Sequence, residues 1–250
     1  MKVRLDQIVV DRGLAESRTK AQALILAGQV LINGQKAGKA GHAVDLESRV
    51  EVLAPPPFVS RGGVKLEAAL KHFAISVQDK TCLDIGSSTG GFTDCLLQSG
   101  AKRVYAFDVG TNQLDWKLRS DPRVVSREQV NARYLTPADL PEPIDLAVCD
   151  VSFISVTMIL PVLPSLLTPV GQIVILVKPQ FEVERSQVGK GGIVRDPLLH
   201  QAACLRVEQA VAGLGYRSSI FPSPLPGAEG NQEFLLFAVP ELAEPGNAGH

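Results

Sequence analysis

Apolar residues recur at helical spacing twice near the start of the chain. In RLDQIVVDRGLAES they are Leu5, Ile8, Val9 and Leu14; in SRTKAQALILAGQ they are Ala21, Leu24, Ile25 and Ala27. Ser17 stands where an N-cap hydroxyl would accept from the first turn, and Gly28 where the helix would end. VLINGQ then reads as a strand running into an Asn33-Gly34 hairpin turn, and RVEVLA at 49–54 alternates like a closing strand. Residues 1–54 therefore read as a small α+β unit. The prolines at 55–57 cannot continue a strand ladder, so 55–63 reads as a stiff linker. After it, Leu66, Ala69, Leu70 and Phe73 line one face of a helix over 64–73.

From residue 81 the pattern becomes a β/α alternation. Strands are expected at 81–86, 103–109, 123–127, 144–150, 171–178, 216–222 and 231–239, and helices at 91–99, 112–119, 155–167 and 197–214. CLDIG, VYAFDVG, IDLAVCDV and QIVILVKP are short, continuous apolar runs, which suit parallel strands covered on both faces. The last two strands read as a hairpin-like pair, so an antiparallel final strand on a parallel sheet is expected. The fold class is α/β with a small N-terminal α+β domain, the larger domain spanning 64–240. Residues 241–250 are polar and rich in Pro and Gly, and are expected to be disordered.

Composition narrows this only a little. A net charge of −1 announces no nucleic-acid partner, so any basic surface must be local. Cys82, Cys95, Cys149 and Cys204 make no C-x-x-C pair and read as reduced core thiols. His42, His72, His200 and His250 have no ligand spacing, and no metal is expected. The N-terminus lacks a signal-peptide layout, and no apolar run reaches the roughly 20 residues of a membrane helix. A cytoplasmic protein without a membrane partner is the expectation.

The stretch CLDIGSSTGGFTD carries the first chemistry. An apolar strand ends in Asp84, then Gly86, Ser87, Ser88, Thr89, Gly90 and Gly91 form a turn into a helix. The spacing is not G-x-G-x-x-G, and a leading carboxylate would repel the pyrophosphate of a dinucleotide. A ligand with a cationic amino group and a ribose suits it better, which points to S-adenosylmethionine. Asp108 ends the next strand, where a carboxylate can accept from ribose hydroxyls. Asn131 follows the third strand and could meet an adenine edge, or cap a helix. A plain strand–turn–helix with glycines for packing is the competing reading. The Gly-Lys pair in VGKGGI lacks the spacing of a phosphate loop.

Two more charges end apolar strands on the same sheet edge: Asp150 after IDLAVC and Lys178 after QIVILV. A lysine there needs a partner or a function. Lys65 lies before the β/α region in SRGGVKLE and Glu233 begins the last strand in GNQEF. Taken singly, each reads equally as a surface ion pair.

Together SRGGVKL, LDIGSSTGGFTD, DVGTNQLDWKLRSDPRV, CDVSFIS, LVKPQFE and GNQEF resemble the TlyA family. These are S4-domain ribosomal RNA methyltransferases, also labelled haemolysin-like, related to the FtsJ 2′-O-methyltransferases. The resemblance runs over about residues 2–240. It implies a Rossmann-like seven-stranded sheet behind an S4-like RNA-binding domain at 1–54. It implies a catalytic Lys–Asp–Lys–Glu set at Lys65, Asp150, Lys178 and Glu233, with transfer to a cytidine 2′-hydroxyl. Forms that act on both subunit RNAs carry extra basic residues at the N-terminus. Here only Met1-Lys2-Val3 precede Arg4, which points to 23S rRNA, with 16S rRNA left open as a second target. Ribosomal RNA or a ribosomal subunit is the expected partner. Phosphate contacts are expected from Arg4, Arg12, Arg18, Lys20 and Lys36, with Arg61, Lys190 and Arg195 near the substrate. Lys178 is expected to take the 2′-hydroxyl proton, tuned by a nearby Lys65 and oriented by Asp150 and Glu233. An assembly factor with a vestigial cofactor site, and a haemolysin-like membrane-active protein, are the alternatives.

Overall fold

The computed structural model describes residues 2–54 and 56–241. It comprises two compact units, Met1–Pro56 and Pro57–His250. Residues 242–250, most of the tail expected to be disordered, and Pro55 of the proline run lie outside the described residues.

The first unit runs β1 (Lys2–Arg4), α1 (Leu5–Asp11), α2 (Arg18–Leu26), β2 (Val30–Ile32), β3 (Gln35–Lys36), β4 (Ala43–Asp45) and β5 (Val50–Val52). Ser17 caps α2 by accepting from the Lys20 N–H at 3.2 Å. Asn33 and Gly34 both have positive φ, 50° and 82°, as a tight β2–β3 hairpin requires. Leu5, Ile8, Val9, Ala21, Ile25 and Val30 form the core. Ala27, expected in that stripe, is exposed, because α2 ends at Leu26 and Gly28 turns the chain away at φ 68°. The pairing of β1 with β4 was not expected; three-residue strands of mixed polarity carry no legible period.

The second unit begins with α3 (Arg61–His72), one turn earlier than expected, so Lys65 lies inside a helix. Then come β6 (Thr81–Ile85), α4 (Gly91–Gln98), β7 (Arg103–Phe107), α5 (Trp116–Arg119), β8 (Val124–Arg127) and β9 (Ile144–Cys149). They are followed by α6 (Leu163–Leu166), β10 (Leu167–Val177), α7 (Pro179–Glu182), α8 (Pro197–Ala212), β11 (Tyr216–Pro222) and β12 (Phe234–Pro240). The seven strands order as β11-β12-β10-β9-β6-β7-β8. The five strands from β10 to β8 pair in parallel, and β12 is antiparallel to both neighbours.

Three expectations needed correction. The helix expected at 112–119 keeps only its last turn, because Asp115 caps Lys117 N–H at 2.9 Å and starts it there. The helix expected at 155–167 breaks into short 3-10 turns and α6, since Pro161 and Pro164 each remove a donor. The last strand starts at Phe234 rather than 231, so Glu233 precedes the ladder.

Side chains alternate strictly across the sheet. Cys82, Val148, Val174, Leu176 and Leu235 pack under α3 and α4; Leu83, Cys149, Ile173, Ile175 and Leu236 pack under α6 and α8. Counting on by two places Asp84, Asp150, Lys178 and Glu233 on the α3 face, which is also the face of Lys65.

In the first unit, buried Asp6 accepts from Arg4, Arg18 and Gln22. The Arg4 hydrogen bond, against the penalty of burial, holds its carboxyl well below the usual carboxylate range. The ionised form is thus favoured by folding. Its contribution is complete above the unfolded value of about 3.9 and fades as pH falls below it. Asp6→Asn should lower the stability of this unit at pH 7 and flatten its loss between about pH 4 and 2, read by denaturant melts.

Candidate active site at the carboxyl edge of the sheet

The strands of the second unit deliver their polar ends to one edge, where a cavity of about 400 Å³ opens. That is within the usual range for a ligand site, roughly 300–1,000 Å³. Gly86, Ser88, Asp108, Asn131 and Asp150 line it, with Gln113, Ser152 and Phe153. Ser87, Thr89, Gly90 and Gly91 do not. A Cβ on Gly90 would sit 2.2 Å from Leu118 Cδ1, and one on Gly91 2.2 Å from Ser60 Oγ. Those two glycines let α4 pack closely.

Gly86 serves a different contact. Its φ is +81°, and a Cβ would lie 2.5 Å from the Asp150 carbonyl oxygen. The Asp150 N–H donates to the Ile85 carbonyl at 3.0 Å, so the ends of β6 and β9 nearly touch. Asp108 ties down the other side. Its Oδ2 accepts from Ser88 N–H at 2.8 Å and its Oδ1 from Gly110 N–H at 2.7 Å. Both oxygens keep lone pairs for a ribose. Asn131 accepts from Arg133 N–H at 3.2 Å and so acts as a cap while also lining the cavity.

Asp84 is fully buried beneath the loop and does not line the cavity. Its Oδ2 accepts from Thr93 Oγ1 at 2.6 Å, while Oδ1 has no hydrogen-bond partner. Burial pushes its pKa up to about 7, the Thr93 bond opposes this, and the charge of Asp150 adds to it. A buried, unpartnered acceptor at a strand end suits a cationic ligand group, as S-adenosylmethionine carries.

The four charges form two buried or half-buried pairs. Lys65 Nζ donates to Glu233 Oε2, with the two residues only 7% and 2% exposed. Lys178 Nζ lies 2.6 Å from Asp150 Oδ1, off the line of a good hydrogen bond, and donates to Ser152 Oγ at 2.8 Å. Because Val177 pairs with Phe234, the next antiparallel position sets Lys178 across from Glu233. The signs therefore alternate: Lys65, Glu233, Lys178, Asp150. Ser152, Thr93 and the buried Glu182 were missed from sequence. Each is a single polar residue in an apolar or loop stretch, with no spacing signal.

The basic candidates divide. Arg4 and Arg18 are bound to Asp6, and Arg12 donates to the Ser48 carbonyl at 2.9 Å and to that of Leu46. Lys20, Lys36, Arg61, Lys190 and Arg195 are exposed. Lys190 and Arg195 flank a loop tethered by Asn231, which donates to the Gly192 carbonyl and accepts from Val194 N–H. All four cysteines are free and buried.

Known proteins match along both units. A model of FtsJ-like methyltransferases covers residues 58–239, and one of the S4 domain covers 3–50. The 16S/23S rRNA (cytidine-2′-O)-methyltransferase TlyA of Mycobacterium tuberculosis is 48% identical over 94% of this chain and 89% of its own. Hemolysin A of Brachyspira hyodysenteriae is 47% identical over 95% of this chain and all of its own. A solved structure of a provisionally named hemolysin from Streptococcus thermophilus superposes with a TM-score of 0.74 at 45% identity. It covers 96% of this chain and 88% of that one.

A cationic group held near Asp84 would favour the ionised carboxylate. S-adenosylmethionine affinity, measured by calorimetry, should therefore tighten as pH rises from about 5 to 7, with proton release seen as a heat that varies with the buffer. Asp84→Asn should weaken binding and remove that slope; a wild-type Kd that ignores pH would separate Asp84 from the ligand.

Proposed function

The chain belongs to the FtsJ-like methyltransferases that carry an S4 domain, the TlyA group, and on that premise we propose that it methylates a cytidine 2′-hydroxyl of ribosomal RNA, 23S rRNA first. The observation that carries the proposal is the alternating row of Lys65, Glu233, Lys178 and Asp150 beside the cavity.

The cofactor is S-adenosylmethionine. When bound it supplies an electrophilic methyl group on a sulfonium, a leaving group that needs no protonation. Gly86, Ser88, Asp108 and Asn131, which line the cavity, would hold it, and the buried Asp84 would supply negative charge behind the loop for its amino group. A ribose hydroxyl is a weak acid, so its attack needs a base within reach. Lys178 Nζ takes up that proton when it is the unprotonated amine, the only form with a free lone pair. Asp150 faces the ammonium that results, and Ser152 Oγ fixes the direction of Nζ. Lys65 and Glu233 are positioning residues: their buried pair closes the neighbouring end of the row and holds α3 on β12. Much of the rate comes from proximity and alignment rather than proton transfer alone.

The first unit supplies the grip on structured RNA. Lys20 and Lys36 are its free cations for phosphates among the basic residues named, since Arg4, Arg12 and Arg18 are engaged within the unit. No helix among the described residues is long and apolar enough to cross a membrane.

Labelled S-adenosylmethionine, separated ribosomal subunits and free rRNAs test the proposal. Label should map to a cytidine 2′-O in 23S rRNA; absence of label from every rRNA would overturn it, and label in 16S as well would widen the substrate. Lys178→Ala should cut turnover by about 10²-fold or more with unchanged cofactor Kd. Replacing Lys20 and Lys36 together by Ala should lower RNA affinity and reduce the salt slope by about 1–2.

A further inference from the structure

The site depends on two chain segments that leave neighbouring strands. One is Asp150–Val156 after β9, and the other is Lys178–Glu182 after β10. Lys178 reaches the first segment at Asp150 and Ser152. Four residues on, at the end of α7, Glu182 reaches it again. Glu182 Oε2 accepts from Ser155 Oγ at 2.5 Å, and Oε1 accepts from Val156 N–H at 2.8 Å. Between these two ties lies Phe153, whose ring meets that of Phe181 at 5.6 Å.

Phe153 shows why both ties matter. It is 93% exposed and has φ +67°, a left-handed conformation costly for a bulky side chain. A strained residue persists only where its flanks are held. Ser152 is held by Lys178, and Ser155 and Val156 are held by Glu182.

Glu182 is also a costly way to fill space. It is 3% exposed, and burial pushes its carboxyl above the usual range, with the Ser155 and Val156 bonds opposing that. The nearby Arg206 guanidinium donates to the Glu182 carbonyl oxygen, at 2.7 Å. A group so expensive to bury is most simply explained by the two donors it captures.

We propose that Glu182 is a positioning residue of the methyl-transfer site, a clamp that locks the loop bearing Asp150, Ser152 and Phe153 onto the helix that follows Lys178. This rests on the reading of Lys178 and Asp150 given above. Errors of about 1 Å in a site of this kind cost about 10²-fold in rate. Releasing the clamp therefore acts on turnover, not on folding or on RNA capture.

The test uses the full chain with Glu182→Ala, Glu182→Gln, Ser155→Ala and the double variant Glu182→Ala/Ser155→Ala. The substrate is the ribosomal subunit or rRNA that the wild type methylates. Glu182→Ala should lower kcat by about tenfold or more with KM within about twofold. Glu182→Gln should recover most of kcat, since its carbonyl oxygen accepts from Val156 while its amide nitrogen donates to a re-oriented Ser155 hydroxyl. Adding Ser155→Ala to Glu182→Ala should cost less than about twofold more, because the Ser155–Glu182 contact is already lost. Amide exchange should rise in Glu182→Ala at residues 151–157 and stay unchanged in β6, β9 and β10.

Unchanged kcat in Glu182→Ala overturns the clamp. So does a loss that Gln fails to restore and that comes with faster exchange through the whole sheet. A wild type inactive on every rRNA would sink the functional reading instead. The exchange measurement would still decide the clamp: a local rise at 151–157 supports it, and no rise overturns it.

Discussion

The pairing of Val177 with Phe234 across the β10–β12 ladder governs the site. One step further along that antiparallel register, Glu233 faces Lys178. The pleat turns both toward α3, where Lys65 waits. Shift the register by one residue and every side chain changes face. Glu233 would then be buried among the apolar residues under α8, and Lys65 would lose its partner. Removing one member of a buried pair costs about 3–5 kcal/mol, because the other is left uncompensated. The register is thus enforced by the same charges that it aligns.

A second constraint binds the cofactor loop to this row. The Asp150 carbonyl sits where a Gly86 side chain would be. The strand end that carries the proposed catalytic carboxylate and the loop that borders the cavity cannot move independently. Asp108 adds a brace from β7 through two backbone N–H groups. The proposed cofactor site and proton-transfer site are one construction on four adjacent strand ends, those of β10, β9, β6 and β7. This also explains the division among the glycines. Gly86 permits the contact between strands, while Gly90 and Gly91 permit α4 to lie close to α5 and α3.

Much of the fold was legible from residue patterns. The continuous apolar runs identify parallel strands because such strands are covered on both faces. Asn33-Gly34 marks its hairpin because both positions need positive φ, and Ser17 marks the start of α2. The failures have local causes. Two prolines broke the helix expected at 155–167, and an Asp115 cap shortened the one expected at 112–119. The charge of Arg4 and Arg18 suggested a surface for phosphate. Sequence could not show that both also hold buried Asp6, since that contact joins three elements.

The residues proposed to carry the chemistry were named from the sequence. Strand ends are where an apolar period stops, so Asp84, Asp108, Asp150 and Lys178 stood out as charges at those stops. Which of them meet depended on strand order, and no local period encodes strand order. The tertiary structure put β12 beside β10, joined Lys65 to Glu233 over a separation of 168 residues, and set Lys178 on Asp150 and Ser152. It also left Asp84 sealed beneath the loop with one oxygen unpaired, a state that burial alone creates. Sequence determined the chemical groups because periodicity and turn chemistry are short-range. The fold determined their partners because hydrogen bonds and ion pairs depend on distance in space, not along the chain.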